Sequence, residues 1–422
     1  MFKGLRKILR VHFKVYRKIT MSIDTNPEKI KELLERGVQE VIEKSHLETI
    51  LKSGKKLRIY YGIDPTGSNI HMGHAIVLWK LRAFQELGHE VILLIGDFTA
   101  RIGDPTDKES ARQPLTEKQV KENMKSYKEQ ASLILDFKKT KIKYNSEWLS
   151  KLNFEKILEI ASHISVQRML ERDMFEKRIK EGKTISLHEF LYPLMQGYDS
   201  VAMNVDLEIA GSDQLFNMLT GRDLQKIYNK KDKDVLTCQL LLGTDGRKMS
   251  KTFGNTIPLI TEPNDMFGKI MSIKDELMGD YYELCTQLPM SQVNQIKQEL
   301  QSQSTNPRDL KEKLAFEIVK LYHGEKEAEK AKTEFEKVHQ KGELPSEIRE
   351  VRLPETIKLS EMLHVSGVAD SIGAGRRLIE QGAVEIDNEK ITDWAKEIEV
   401  KDGMIVKVGK RNWFKAKLYP PK

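Results

Sequence analysis

The chain of 422 residues is most restrictive in what it lacks. It has two cysteines, Cys238 and Cys285, with no CxxC spacing. That excludes a disulfide framework and a cysteine-rich zinc site, and fits a reducing, cytoplasmic setting. No apolar run approaches the roughly 18 residues of a membrane span. Long Pro, Gly or Ser tracts are missing, so disordered and fibrous classes drop out. The usual phosphate cradles are missing too: there is no Walker A pattern, and Gly373-Ala374-Gly375 lacks the further glycine of a dinucleotide fingerprint.

What remains is a globular composition, 39% hydrophobic and 32% charged, long enough for roughly two to four domains. The formal charge of +7 equals the contribution of Lys3, Arg6, Lys7, Arg10, Lys14, Arg17 and Lys18. Residues 1–20 hold no acid and precede Met21. Three readings fit this basic extension: an upstream start-codon artefact, an RNA-binding arm, or a transit-like segment.

Periodicity predicts a helix from Glu28 to Ile42, a strand over Leu57–Ile63, a helix from His71 to Leu87 closed by Gly88, and a strand over Glu90–Gly96. Strand, helix and strand with short connections make a βαβ unit, which places ligand sites beyond the strands' carboxyl ends, near Asp64, Thr66, His71 and Asp104. Residues 115–190 read as a polar, mostly helical insertion, interrupted at Tyr144-Asn145-Ser146. Strand signals return at Asp206–Ile209 and Val235–Leu242, with a helix Asp213–Tyr228 between them. From Pro263 to about Gly342 the pattern is helical and charged, ending in the linker Gly342–Pro345. The tail from about Thr356 reads as a small module with helices Leu359–Leu363 and Gly375–Gln381 and strands Ala383–Ile386, Ile405–Val408 and Trp413–Leu418.

The chemistry lies in two turns. In His71-Met72-Gly73-His74 a strand hands over to a helix, and both imidazoles fall on one face of its first turn. A helix N-terminus attracts an anion by about 0.3 to 1 kcal/mol, imidazoles donate to phosphate oxygens, and a glycine admits a flat base. Gly243 through Thr252 is a glycine-bounded turn carrying Lys248 and Lys251, whose ammonium groups suit the charge of a pyrophosphate leaving group. Taken singly, each turn has an ordinary alternative: solvated histidines at a helix start, or a basic surface turn. The pair together discriminates.

These segments resemble the two signatures of class I aminoacyl-tRNA synthetases. The likeness extends through Tyr60–Thr66, Ile102–Pro105, Tyr192–Asp199 and Gly211–Gln214 to the bacterial tyrosyl-tRNA synthetase family, over essentially Met21 to Lys422, and the tail resembles an S4 RNA-binding domain. The resemblance implies an α/β fold: a Rossmann-like parallel-sheet catalytic domain over 21–260 with a helical insertion at about 115–195, an α-helical anticodon-binding domain over 261–345, and a small α+β S4-like domain over 356–422. It implies tyrosine and tRNA(Tyr) as partners, ATP with Mg2+ as substrate, no protein-bound metal, and a homodimer formed through the insertion.

The same resemblance implies roles. Asp104, Tyr192 and Gln196 hold the α-amino group of tyrosine; Asp199 and Tyr60 hydrogen-bond its phenol. Asp64, Thr66, Gly73, Gly211, Asp213 and Gln214 line the nucleotide site, joined by Lys251. His71 and His74 stabilise the α-phosphoryl transition state, and Lys108, Arg112, Lys248, Lys251 and Thr252 surround the pyrophosphate. Arg376, Arg377, Lys410, Arg411 and Lys415, with Lys407, Lys417, Trp413 and Phe414, offer a backbone-and-stacking surface for RNA. Ala210, Leu215-Phe216 and Thr252 depart from the commoner family pattern and place the chain in a subgroup. A tryptophan-specific sister enzyme and a non-catalytic RNA-binding paralogue are the competing functions.

Overall fold

A computed structural model describes residues 23–106, 115–250, 253–339, 343–346, 348–409 and 412–419. The basic extension and Lys108, Arg112, Lys251, Thr252, Lys410 and Arg411 lie outside the described residues. Two compact units emerge, one running to Ile260 and including Ile273–Thr305, the other formed by Thr261–Ser272 and Asn306 onward. The helical block expected over 261–345 is therefore divided between the units.

The first unit is built on a six-stranded sheet: β1 (Val38–Ile42), β2 (Arg58–Ile63), β3 (Glu90–Ile95), β4 (Thr140–Tyr144), β5 (Leu207–Gly211) and β6 (Asp234–Cys238), in the order β1-β6-β5-β2-β3-β4. All neighbours run parallel except β1 on β6. The interior strands are near-continuous apolar runs because helices cover both faces; β6 is buried at every residue. The strand order reverses between β2 and β5, and such a switch point opens a crevice at the strands' carboxyl ends.

Two expectations fail at the sheet's edges. The helix predicted over Glu28–Ile42 is α1 (Pro27–Glu35), which ends before Gly37 at φ +62°, and Val38–Ile42 is the edge strand β1. The polar insertion contributes β4, paired with β3 from Val91–Thr140 to Ile95–Tyr144. Both segments carry exposed polar residues typical of edge strands, and so lack a clean apolar signature. The βαβ unit forms as read, with α2 (Met72–Glu86) between β2 and β3. In the second half α3 (Leu187–Met203) and α4 (Leu215–Asn229) flank β5.

The second unit contains helices Pro263–Met271, Pro307–His323 and Glu325–His339 and a five-stranded sheet. Its strands are β7 (Arg349–Leu353), β9 (Val384–Ile386), β10 (Glu389–Ile391), β12 (Ile405–Val408) and β13 (Asn412–Leu418), while β8 (Thr356–Lys358) pairs with β11 (Glu397–Glu399). Because β7 pairs in parallel with β13, the small module begins upstream of residue 356, by Arg349. Its core gathers Leu353, Leu359, Met362, Leu363, Ile379, Val384, Val406 and Phe414.

Candidate active site

A cavity of about 310 Å³ lies at the switch point. It is lined by every expected catalytic, nucleotide and tyrosine position among the described residues: Tyr60, Asp64, Thr66, His71, Gly73, His74, Asp104, Tyr192, Gln196, Asp199, Gly211, Asp213, Gln214 and Lys248. Strand β2, the end of β5, the segments after β2, β3 and β5, the start of α2, the middle of α3 and the turn after Gly243 supply them.

The segment just after the late turn is joined to the imidazole turn by backbone. Met72 N–H donates to Ile257 O at 2.9 Å, Leu259 N–H donates to Ile70 O at 3.0 Å, and His71 bridges Pro258. His71 and His74 lie with ring centroids 3.9 Å apart and planes tilted by 36° at the N-terminus of α2, with His71 N–H donating to His74 Nδ1 at 3.3 Å. The late turn is organised by buried Asn255: its Nδ2 donates to Asp245 Oδ1 at 2.7 Å and Lys248 O at 3.1 Å, and its Oδ1 accepts from Ser250 N–H at 2.8 Å. The Asn255 amide and the Arg247 backbone hold the Asp245 carboxyl down at about 2. From this turn Lys248 Nζ donates to Asp213 Oδ2 at 2.8 Å, so an expected phosphate ligand and an expected ribose ligand meet directly.

The side expected to take the amino acid is densely hydrogen-bonded. Asp64 accepts from Thr99 Oγ1 at 2.7 Å and from the Tyr192 hydroxyl at 2.9 Å. Asp104 accepts from Thr106 N–H and Oγ1 at 2.9 and 2.7 Å and from Gln214 Nε2 at 2.8 Å. Gln214 thus bonds Asp104 across the cavity, linking the expected nucleotide and amino-group residues. Gln196 Nε2 donates to Glu208 at 3.4 Å, while its buried Oε1 has no partner among the described residues and so offers an acceptor to a ligand N–H.

At the end expected to take the phenol, Asp199 is 2% exposed and accepts from Trp148 Nε1 at 2.7 Å and Asn145 Nδ2 at 3.2 Å. Burial pushes its carboxyl well above the usual range, and the two N–H donors pull the other way. The Tyr60 hydroxyl lies 2.9 Å from Ser200 Oγ, and burial raises its phenol, as it does that of Tyr192.

Sequence reading missed several contributors. Thr99, Asn145 and Glu208 line the cavity, Trp148 holds Asp199, and Lys233 holds Glu208. Asn145 sat in the segment read only as an interruption. Glu208 and Lys233 carried one signal, a charge inside or beside an apolar strand, which demands a partner.

The RNA-facing expectation changes in detail. Arg376, Arg377 and Lys415 are exposed, and the Arg376 guanidinium lies 3.9 Å from the Trp394 ring centroid. Phe414, however, is fully buried in the module core and is no stacking platform. The lysine strip is also less bare than its sequence, since Lys407 pairs with Glu385 and Lys417 with Glu350, each at 3.0 Å, across neighbouring strands. Among the described residues no group of three His, Cys, Asp or Glu side chains is placed to hold a metal ion, and no helix is long and apolar enough to cross a membrane.

Comparison with known proteins gives concordant matches. The model of the family described as tRNA synthetases class I (W and Y) matches residues 52–340. A tyrosine–tRNA ligase of Moorella thermoacetica is 46% identical over 387 residues, covering 90% of this chain and 94% of its own. That of Carboxydothermus hydrogenoformans is 48% identical, covering 91% and 96%. Among solved structures, a C-terminally truncated mitochondrial tyrosyl-tRNA synthetase of Aspergillus nidulans shares the fold with TM-score 0.61 at 23% identity, over 79% of this chain and 98% of its own. An Archaeoglobus fulgidus tyrosyl-tRNA synthetase complexed with L-tyrosine gives TM-score 0.58 at 23% identity, over 73% and 100%.

Proposed function

The chain belongs to the class I tRNA synthetases of the W and Y family, and on that premise we propose that it joins L-tyrosine to tRNA(Tyr) in two steps at the switch-point cavity. One observation carries the reading: both signature turns and a buried Asp199 beside Tyr60 open into the same cavity.

In the first step the tyrosine carboxylate attacks the α-phosphorus of ATP, and pyrophosphate leaves with its magnesium ion. No enzyme nucleophile is needed; the protein positions the reactants and stabilises charge. His71 and His74, at the N-terminus of α2, suit the negative charge growing on the α-phosphoryl oxygens. Lys248 is suited to the leaving group, and Lys251, Thr252, Lys108 and Arg112 are assigned with it. Asp64, Thr66, Gly73, Gly211, Asp213 and Gln214 are assigned to the nucleotide. Asp104, Tyr192 and the unpartnered Gln196 Oε1 are assigned to the α-ammonium. Asp199 and Tyr60 are assigned to the phenol, so phenylalanine would leave buried polar groups unpaired. In the second step a ribose hydroxyl at the tRNA's 3′ end attacks the tyrosyl carbonyl, and AMP leaves.

The exposed Arg376, Arg377 and Lys415 are assigned to RNA contact in the S4-like module, Lys410 and Arg411 with them, and the helices of the second unit to the anticodon side. A homodimer through the insertion is supported by six exposed large apolar side chains among its described residues, Leu133, Phe154, Leu158, Val166, Ile179 and Leu187. A cytoplasmic location accords with this role in protein synthesis.

Tyrosine-dependent exchange of labelled pyrophosphate into ATP tests the proposal. Exchange driven by tryptophan instead would make the chain the sister enzyme. No exchange with either amino acid would make it a binding protein.

A further inference from the structure

At the wall of the cavity lies a buried ion pair that the two-step reaction does not use. Lys233, immediately before β6, has no exposed surface. Its ammonium meets Glu208 of β5 and donates to Ser200 Oγ of α3 at 2.9 Å. Glu208 accepts from Gln196 at 3.4 Å, and Ser200 Oγ lies 2.9 Å from the Tyr60 hydroxyl. One ammonium therefore stands behind both the side chain assigned to the substrate's α-ammonium and the one assigned to its phenol.

Donor counting gives this arrangement a direction. An ammonium only donates, so Ser200 Oγ accepts from Lys233. The Ser200 hydrogen then has the Tyr60 oxygen as its acceptor among the described residues, because Ser200 is fully buried with only these two partners. Tyr60 keeps its own hydrogen for an acceptor in the cavity. Glu208, whose carboxylate also acts on the Tyr60 hydroxyl as an acceptor, competes with a cavity ligand for that hydrogen, and its pairing with Lys233 weakens the competition.

Two further facts argue against a merely structural pair. Replacing a buried ion pair by apolar residues of like size is often neutral or stabilising, so stability alone is a poor reason to keep one. The fold also reserves space for the ammonium: a β-carbon at Gly221 of α4 would stand 2.7 Å from Lys233 Nζ and 2.9 Å from Ser200 Oγ.

We propose that Lys233 is a positioning residue that sets the donor direction of Tyr60 through Ser200 and the orientation of Gln196 through Glu208, and thereby governs the choice of tyrosine over phenylalanine. The inference rests on reading the cavity as a tyrosine site.

Pyrophosphate exchange on the full chain, with tyrosine and with phenylalanine, tests it in two variants. Ser200→Ala cuts only the phenol arm: the tyrosine-to-phenylalanine ratio of kcat/KM should fall about tenfold, the scale of one hydrogen bond, with KM for phenylalanine unmoved. The double variant Glu208→Leu with Lys233→Met removes both arms without leaving a lone charge. Its thermal midpoint should hold, its ratio should fall at least as far, and KM should rise for both amino acids. A wild-type ratio in either variant overturns the role of Lys233, and should the double variant not fold, Ser200→Ala decides alone. Absence of tyrosine-driven exchange in the unaltered chain would instead overturn the site's assignment.

Discussion

Lys248 and Asp213 form an ion pair at 2.8 Å, so under the proposed assignment nucleotide binding has to share that ammonium between a carboxylate and phosphates. Lys248→Ala is expected to cut the rate of pyrophosphate exchange by about a hundredfold, the usual scale for one preorganised charge donor, with tyrosine affinity by calorimetry unchanged. Equal loss of both would mean that the loop serves another purpose. The residues that touch ligand in this scheme were legible because their chemistry is conspicuous: paired imidazoles, paired lysines, an Asp before a Pro. The residues that hold them were not. Thr99 on Asp64 and Trp148 on Asp199 are common side chains whose role exists only once β3, β4 and α3 converge.

Strands and helices with uniform burial were read correctly, since β2, α2 and β3 each present a single period. Edge elements were misread because half their surface faces water, as β1 and β4 do. The foot of β2 also carries a pH-sensitive contact. His89, 4% exposed, accepts the Leu57 N–H on Nδ1 at 3.2 Å, and burial lowers its pKa from 6.5 to about 4. The folded chain keeps this ring neutral while the unfolded chain takes up a proton near pH 6.5. Its contribution is therefore complete above pH 6.5 and is lost as the pH falls toward 4, on the order of 3 kcal/mol in all. His89→Gln keeps an acceptor for Leu57 without titrating. Urea midpoints at pH 7 and 4.5 should converge in that variant relative to the unaltered chain, and an equal acid loss in both would place the sensitivity elsewhere.

For the whole molecule, the division of labour between units predicts separable losses. A chain ending before Arg349, where the small module's sheet begins, should retain tyrosine-driven pyrophosphate exchange and lose most of its tRNA charging; undiminished charging would refute an RNA role for the module. The order of helical and strand-rich stretches was legible from shifts in composition and period. The boundaries were not, because β7 belongs to a sheet completed some sixty residues later by β13, and because residues 273–305 share the helical pattern of segments that cluster in the other unit. The seam between Ile70–Met72 and Ile257–Leu259 bears on how such an enzyme tolerates change. The arc of chain from Gly243 to Asn255 has its exit sewn to the imidazole turn, so alignment of the two groups proposed to handle phosphate is inherited from chain connectivity. Shortening that arc would leave its foot in register.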